Sequence, residues 1–250
     1  MVIGFLGTGR IAVPMVKALT GAGHEIVVSA RSHEASSELA ARCADVRVAD
    51  NQEVVAASDV VFICLLADVA RRELASLPFR ADHRVVSVMA EFPLAEIAGL
   101  IGETVELCVT IPMPFIDHGG CPLATYPASA TLASLFGADN AIIEVETEAG
   151  MGPHFAATAL TSTMLKAMMT VRDWLGEQTG DTAAAERYML LLESGYLSAL
   201  PRDGQGRLDE AVGHLATAGG LNAQLLEHME KAGTMRALEQ GLSGLVNRRR

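Results

Sequence analysis

The sequence predicts an α/β chain, a doubly wound parallel sheet followed by an all-helical domain, and three observations carry that prediction. A short apolar run, Val2 to Leu6, leads into Gly7, Gly9 and Ala12. Strand-like and helix-like segments then alternate as far as Glu146, which implies right-handed parallel crossovers. After the small residues Gly150-Met151-Gly152-Pro153 every periodic segment is helical. The expected domains are therefore residues 1–149, a Rossmann-type sheet, and residues 150–250, a helical dimerisation and substrate domain.

The opening turn is the most informative stretch. Gly7 permits a tight turn, Gly9 lets backbone approach a pyrophosphate, and Ala12 allows the new helix to lie close on the strand. The helix start adds unpaired N–H groups and the positive end of a dipole. A plain strand-turn-helix could carry the same letters; the strand before and the helix after are the context a dinucleotide site needs.

His24 to Ser29 reads as the second strand, and its end selects the cofactor. An NAD site places Asp or Glu there to hold the ribose hydroxyls. Ser29-Ala30-Arg31-Ser32 has no carboxylate, so Arg31 can pair with a 2′-phosphate and Ser32 can donate to it, which favours NADP(H). The alternative is a solvated loop charge at Arg31.

Ala44 to Ala49, Asp59 to Leu65, Arg84 to Met89 and Val105 to Thr110 continue the strand series, with helices near Asp68 to Leu77 and Leu94 to Ile101. Ligands of such sheets lie at the carboxyl ends of the strands, so Leu65 to Val69, Met89 to Phe92 and Thr110 to Phe115 are the loops of interest. Leu123 to Tyr126, a helix at Ser129 to Phe136, and Ala141 to Glu146 close the first domain. Phe155 to Gln178 then reads as one long helix, followed by Thr182 to Leu200, Arg207 to Ala216, Leu221 to Ala232 and Thr234 to Val246. The long helix is apolar on too many faces for a monomer surface, which predicts a homodimer.

Composition narrows the function class. Half the residues are hydrophobic and a fifth are charged, which excludes a disordered chain. The 30 acidic against 19 basic residues give a net charge of −11, which argues against nucleic acid. No apolar run reaches the roughly 20 residues of a membrane span, and Met1 runs directly into the first strand, so a cytoplasmic chain without membrane association is expected. Cys43, Cys64, Cys108 and Cys121 lack metal-ligand spacing and read as buried thiols.

In both halves and in order, the sequence resembles the pyrroline-5-carboxylate reductase family. Ile3-Gly4-Phe5-Leu6-Gly7-Thr8-Gly9-Arg10-Ile11-Ala12 is similar to the family's opening, and Ala30-Arg31-Ser32 resembles its NADP-selecting turn. Ala157 to Leu160 resembles the start of its interdomain helix, and Leu215-Ala216-Thr217-Ala218-Gly219-Gly220-Leu221-Asn222 its substrate loop. The resemblance implies cofactor contacts from Gly7, Thr8, Gly9, Arg10, Ile11, Ala30, Arg31, Ser32, Leu65 and Leu66, and substrate contacts from Gly219, Gly220 and Leu221. The chain departs from the family's pattern at Leu66-Ala67, at Ile111-Pro112-Met113, along Thr161 to Leu165, and at Ala218 and Asn222.

The expected chemistry is NADPH-dependent reduction of a C=N bond in a small imine, cyclic and carboxylated. Such a site needs a carboxylate grip and a hydrogen-bonding group near the nitrogen, while the cofactor brings the hydride. Gly219 and Gly220 could offer backbone N–H groups to the carboxylate, flanked by Thr217 and Asn222, or could simply break two helices. Lys166 could donate a proton if partly buried, or lay its stem on the apolar face. A hydroxyacid dehydrogenase-like reductase of a keto acid and a non-catalytic NADP-binding sensor are the alternatives; Ala156, where the former would carry its Lys, has no such group.

Overall fold

The computed structural model describes residues 1–30 and 33–247. Eight strands, β1 (Val2–Leu6), β2 (Glu25–Ser29), β3 (Val46–Ala49), β4 (Val60–Ile63), β5 (Arg84–Ser87), β6 (Glu106–Ile111), β7 (Pro122–Tyr126) and β8 (Ala141–Glu144), form one sheet. Its order is β3-β2-β1-β4-β5-β6-β7-β8. All neighbours are parallel except β6 and β7, which run antiparallel in the register Val109 to Tyr126, Thr110 to Thr125 and Ile111 to Ala124. The doubly wound α/β class expected from the alternation is the observed one.

Six helices serve as crossovers or flank the sheet: α1 (Ala12–Leu19), α2 (His33–Arg42), α3 (Asn51–Ala57), α4 (Ala67–Glu73), α5 (Leu94–Ile101) and α6 (Ala130–Phe136). Neither α2 nor α3 stands out in the sequence: α2 has a weakly apolar face that buries only Ser36 and Leu39 fully, and α3 is seven residues long. Asp50 caps α3 by accepting from the Glu53 N–H at 2.9 Å, and Ser129 caps α6 by accepting from the Leu132 N–H at 3.0 Å.

Side chains alternate between the two faces of the sheet, and both faces are buried. On one, Phe5 stacks on Phe62 at 4.7 Å and Phe62 meets the edge of Phe136 at 6.0 Å, with Met15, Val16 and Leu19 of α1 around them. On the other, Leu6, Val61 and Ile63 pack with Val54, Leu74 and Ile97. This closed sandwich fixes the carboxyl ends of the strands.

The chain divides into two compact units, Met1–Phe155 and Ala156–Arg250. The division falls inside α7 (Glu148–Ala157), so the stretch from Gly150 to Pro153 is helical. Pro153 has no N–H to give the Ala149 carbonyl, and the His154 ring separately bonds the Gly150 carbonyl at 2.8 Å. The single long helix expected from Phe155 onward is broken after Ala157, and α8 (Leu160–Thr179) begins anew. The helices α9 (Thr182–Ala199), α10 (Arg207–Leu215), α11 (Leu221–Lys231) and α12 (Thr234–Asn247) complete the second unit. Within it α8 and α9 meet closely at Gly176, where a Cβ would lie 2.6 Å from Thr182 Oγ1.

Candidate functional site

The site is built on the turn from β1 to α1. Gly7 has φ +95°, a left-handed conformation that favours glycine, and a Cβ there would collide with the Cys64 carbonyl oxygen at the end of β4. The Gly7 N–H donates to Ser29 Oγ at 2.8 Å, and the buried Thr8 hydroxyl donates to the Ser29 carbonyl at 2.7 Å. Ser29 thus ties the turn to the end of β2. No sequence signal marks Ser29 for that task, because a serine closing a strand is compatible with many roles. Gly9, by contrast, faces open space, with nothing within 4 Å of where a Cβ would stand.

Thr8, Gly9 and Arg10 open onto a groove of about 840 Å³. Val13, Pro14 and Lys17 of α1 also line it, as do His33, Glu34 and Ala35 of α2 and Pro114, Asp117 and His118 beyond β6. Arg10 and Lys17 make no ion pair among the described residues, whereas Arg47, Arg71, Arg172 and Arg207 are each held by two carboxylates. His118 Nδ1 lies 2.9 Å from Asp117 Oδ1. At the start of α1 the Val13 N–H donates to the Gly9 carbonyl at 3.0 Å, the Met15 N–H donates to the Ile11 carbonyl at 3.4 Å, and Pro14 has no N–H. The groove thus gathers two cations without an ion pair among the described residues beside the turn at Thr8 and Gly9.

The sequence-derived cofactor residues fall around this turn unequally. Ile11 packs its side chain against the core, leaving only its main chain for a ligand. Ala30 is exposed at the end of β2, its N–H bonded to the Ala49 carbonyl at 3.1 Å. Arg31 and Ser32 lie outside the described residues. Leu65 is partly buried beside Gly7, while Leu66 is 77 % exposed and caps α4 through its carbonyl; neither lines the groove. Sequence reasoning passed over Lys17, His33 and Glu34, since nothing in their spacing announces that α1 and the first turn of α2 border one groove.

No thiol at this edge is poised for nucleophilic work. Burial pushes Cys64, and separately Cys108 within β6, up to about 12. Met113, where the family's pattern has an amide, packs against the core, and its N–H contacts Cys121 Sγ at 3.4 Å.

In the helical unit, Thr217, Gly219 and Asn222 are exposed and Leu221 is 85 % exposed. Gly219 has φ +77°, but Gly220 is extended and already spends its N–H on the Thr217 carbonyl at 2.9 Å. Of the two glycine N–H donors expected there, that of Gly220 is therefore already engaged. Lys166 is exposed on α8. The partial burial expected of it is absent, and its neighbours Leu165 and Ala167 are exposed as well.

A family model described as NADP oxidoreductase, coenzyme F420-dependent, matches residues 2–91. The 1-pyrroline-5-carboxylate reductase of Streptococcus pyogenes superposes with a TM-score of 0.81 at 18% identity, covering 100% of this chain and 98% of that one. The chain has the fold of the pyrroline-5-carboxylate reductases. The Plasmodium falciparum pyrroline carboxylate reductase, solved with NADP bound, gives 0.82 at 13% identity over 100% and 97% of the two chains. A reductive aminase of Aspergillus terreus, solved with NADPH and ethyl-5-oxohexanoate, gives 0.60 at 18% identity over 99% and 92%. No curated protein sequence matches the chain. At these identities the fold is what is shared.

Proposed function

We propose that this protein is an NADPH-dependent reductase of a C=N bond in a small imine. The observation that carries the reading is the open face of Gly9 on a groove with unpaired Arg10 and Lys17, beside a β2 that ends in Ser29 and Ala30 without a carboxylate. The groove suits a multiply charged dinucleotide. Gly7, Thr8 and Gly9 would hold the pyrophosphate through the main chain, with Arg10 beside them. When bound, NADPH supplies the hydride. This chain's residues bind and orient the partners and exclude competing geometry.

The carboxylated cyclic imine is the finer part of the reading. The first turn of α11, at Leu221 and Asn222, would receive the carboxylate, and the Thr217 hydroxyl or the Asn222 amide would donate toward the nitrogen. The family's pyrroline-5-carboxylate reductases and the imine-reducing neighbours of this fold support the C=N choice. The buried Ala156 offers no ammonium for carbonyl reduction, which disfavours a keto acid. NADPH oxidation followed over cyclic imines, with and without a carboxylate, and over keto acids tests the reading. Turnover of an imine and not of a keto acid is expected; turnover of keto acids alone would overturn it.

We further infer that the helical unit assembles a homodimer. Trp174, Leu191, Leu208 and Leu221 are 59%, 63%, 71% and 85% exposed, a load of apolar surface that a monomer rarely leaves in water. Light scattering at low micromolar concentration is expected to show a dimer and no folded monomer.

A further inference from the structure

We propose that His118, oriented by Asp117 on the turn Ile116–His118, is the proton donor of the imine reduction. The assignment deepens the reductase reading above and rests on it. Reduction of a C=N bond consumes one proton as well as the hydride. The Thr217 hydroxyl and the Asn222 amide can hydrogen-bond a nitrogen, but neither group releases a proton near neutral pH, so a proton source is still required. Imidazole is the side chain that exchanges protons in that range. In the step, the His118 Nε2–H bond breaks as the N–H bond of the product amine forms from the C=N π pair, while the carbon takes the hydride that NADPH supplies. The neutral ring then recovers its proton from water, and NADP+ and the amine leave.

The turn that carries the pair is firmly mounted. Ile116 is buried in the core that includes Met15, Val16 and Leu19 of α1. The buried Asn140 side chain accepts from the Cys121 N–H at 2.9 Å and donates to the Ile116 carbonyl at 3.5 Å, and the Gly120 N–H donates to the Asp139 carbonyl at 2.7 Å. On this mount the Asp117 side chain is sunk, 20 % exposed, and that of His118 stands out, 80 % exposed. A carboxylate at 2.9 Å from Nδ1 fixes the tautomer and leaves Nε2 to carry the exchangeable proton. Both residues line the groove that opens at Thr8 and Gly9. They come from beyond β6, whereas His33 and Glu34 come from α2, and in the sheet β2 and β6 lie on opposite sides of β1. A dinucleotide of this fold sets its adenosine ribose at the end of β2, so the β6 side is the side of the nicotinamide and of the reacting carbon. Arg10, Lys17, His33 and Glu34, with Asp139 before β8, are the other titratable groups lining the hollows that the pair faces. Lys17 is in the last turn of α1, away from Gly9, and Arg10 does not give up its proton.

The test follows NADPH oxidation with 1-pyrroline-5-carboxylate and with its N-methyl iminium analogue, at a pH above the range in which the free imine is protonated in water. The analogue already carries its positive charge and needs no proton. His118 is exposed, so His118→Gln leaves the core intact. It is expected to lower kcat on the imine about a hundredfold, while the rate on the iminium and the affinity for NADPH stay within about twofold of wild type. Asp117→Asn keeps an oxygen for the ring N–H but removes the charge, and should lower kcat on the imine several-fold with the iminium again spared. As the pH falls into the range where water protonates the imine, the gap between His118→Gln and wild type should close. A variant that loses both substrates alike, loses neither, or stays equally impaired at every pH overturns the assignment while leaving imine reduction intact. A wild-type protein that reduces neither compound overturns the reductase reading itself.

Discussion

The two units of this chain solve the problem of apolar surface in opposite ways. In Met1–Phe155, Ile3, Phe5, Leu6, Val60, Val61, Phe62 and Ile63 are fully buried, and both faces of the sheet are closed by the chain's own helices. In Ala156–Arg250, five helices bury few of their residues, Gly176, Ala185, Met189 and Ala211 among them, while leucines on α8, α9, α10 and α11 stay open. A sheet with crossovers can close on itself. Under the dimer proposed above, a second copy would cover these helix faces, and the exposure would reflect assembly and not a poorly made core.

The contrast is sharpest at α9. If Leu191 faces only water, replacing it costs at most about 0.5 kcal/mol. We predict instead that Leu191→Glu abolishes the dimer, because a buried unpaired charge costs several kcal/mol, about 3–5 when a partner is lacking. Sedimentation of the variant checks this, and an unchanged dimer would break the contrast. For the self-sufficient unit, Phe62→Ala removes a ring stacked between Phe5 and Phe136 and should cost about 3–5 kcal/mol in urea unfolding whether or not the protein is dimeric. A stability loss that depends on protein concentration would mean that the sheet unit borrows stability from assembly.

Gly7→Ala should act on a smaller scale in stability, on the order of 1–3 kcal/mol for a strained left-handed residue, but should remove most NADPH binding. The Cβ meets the main-chain oxygen of Cys64, just past β4, which cannot give way. Calorimetric titration with NADPH reads the binding, and affinity within a few-fold of wild type would argue that the turn does not hold the pyrophosphate.

The smallest effect is a pH dependence confined to the sheet unit. His83 is fully buried at the amino end of β5, its Nδ1 accepts the Arg80 N–H at 2.9 Å, and its Nε2 has no partner. Burial first, and then the Arg80 guanidinium, hold this imidazole below its ordinary proton affinity. The unfolded chain therefore takes up a proton that the folded chain refuses. Stability from this group is present above about pH 6.5 and is lost as pH falls below it. His83→Asn, whose carbonyl oxygen can still accept from Arg80, should flatten the decline in melting temperature between pH 7 and pH 5. An identical slope in the variant would assign the acid sensitivity elsewhere.

Much of the sheet unit was legible in the residues because β-strands buried on both faces read as continuous apolar runs, and because Gly7 has few substitutes at its turn. Helices with a plain apolar stripe, such as α5, were legible almost to the residue. The short α3 and weakly patterned α2 were not, since their stability comes from the sheet they cover and not from their own sequence. The break between α7 and α8 likewise left no breaker residue at Thr158-Ala159 to see. By itself the sequence determined the α/β class, the strand series and the glycine turn after β1, all of which are local properties of side-chain size and periodicity. Only the tertiary structure decided that Ser29 anchors that turn, that Gly220 has already spent its N–H, and that Lys17 and His33 share a groove with Gly9. These depend on which distant segments the crossovers bring side by side, and no spacing along the chain encodes that.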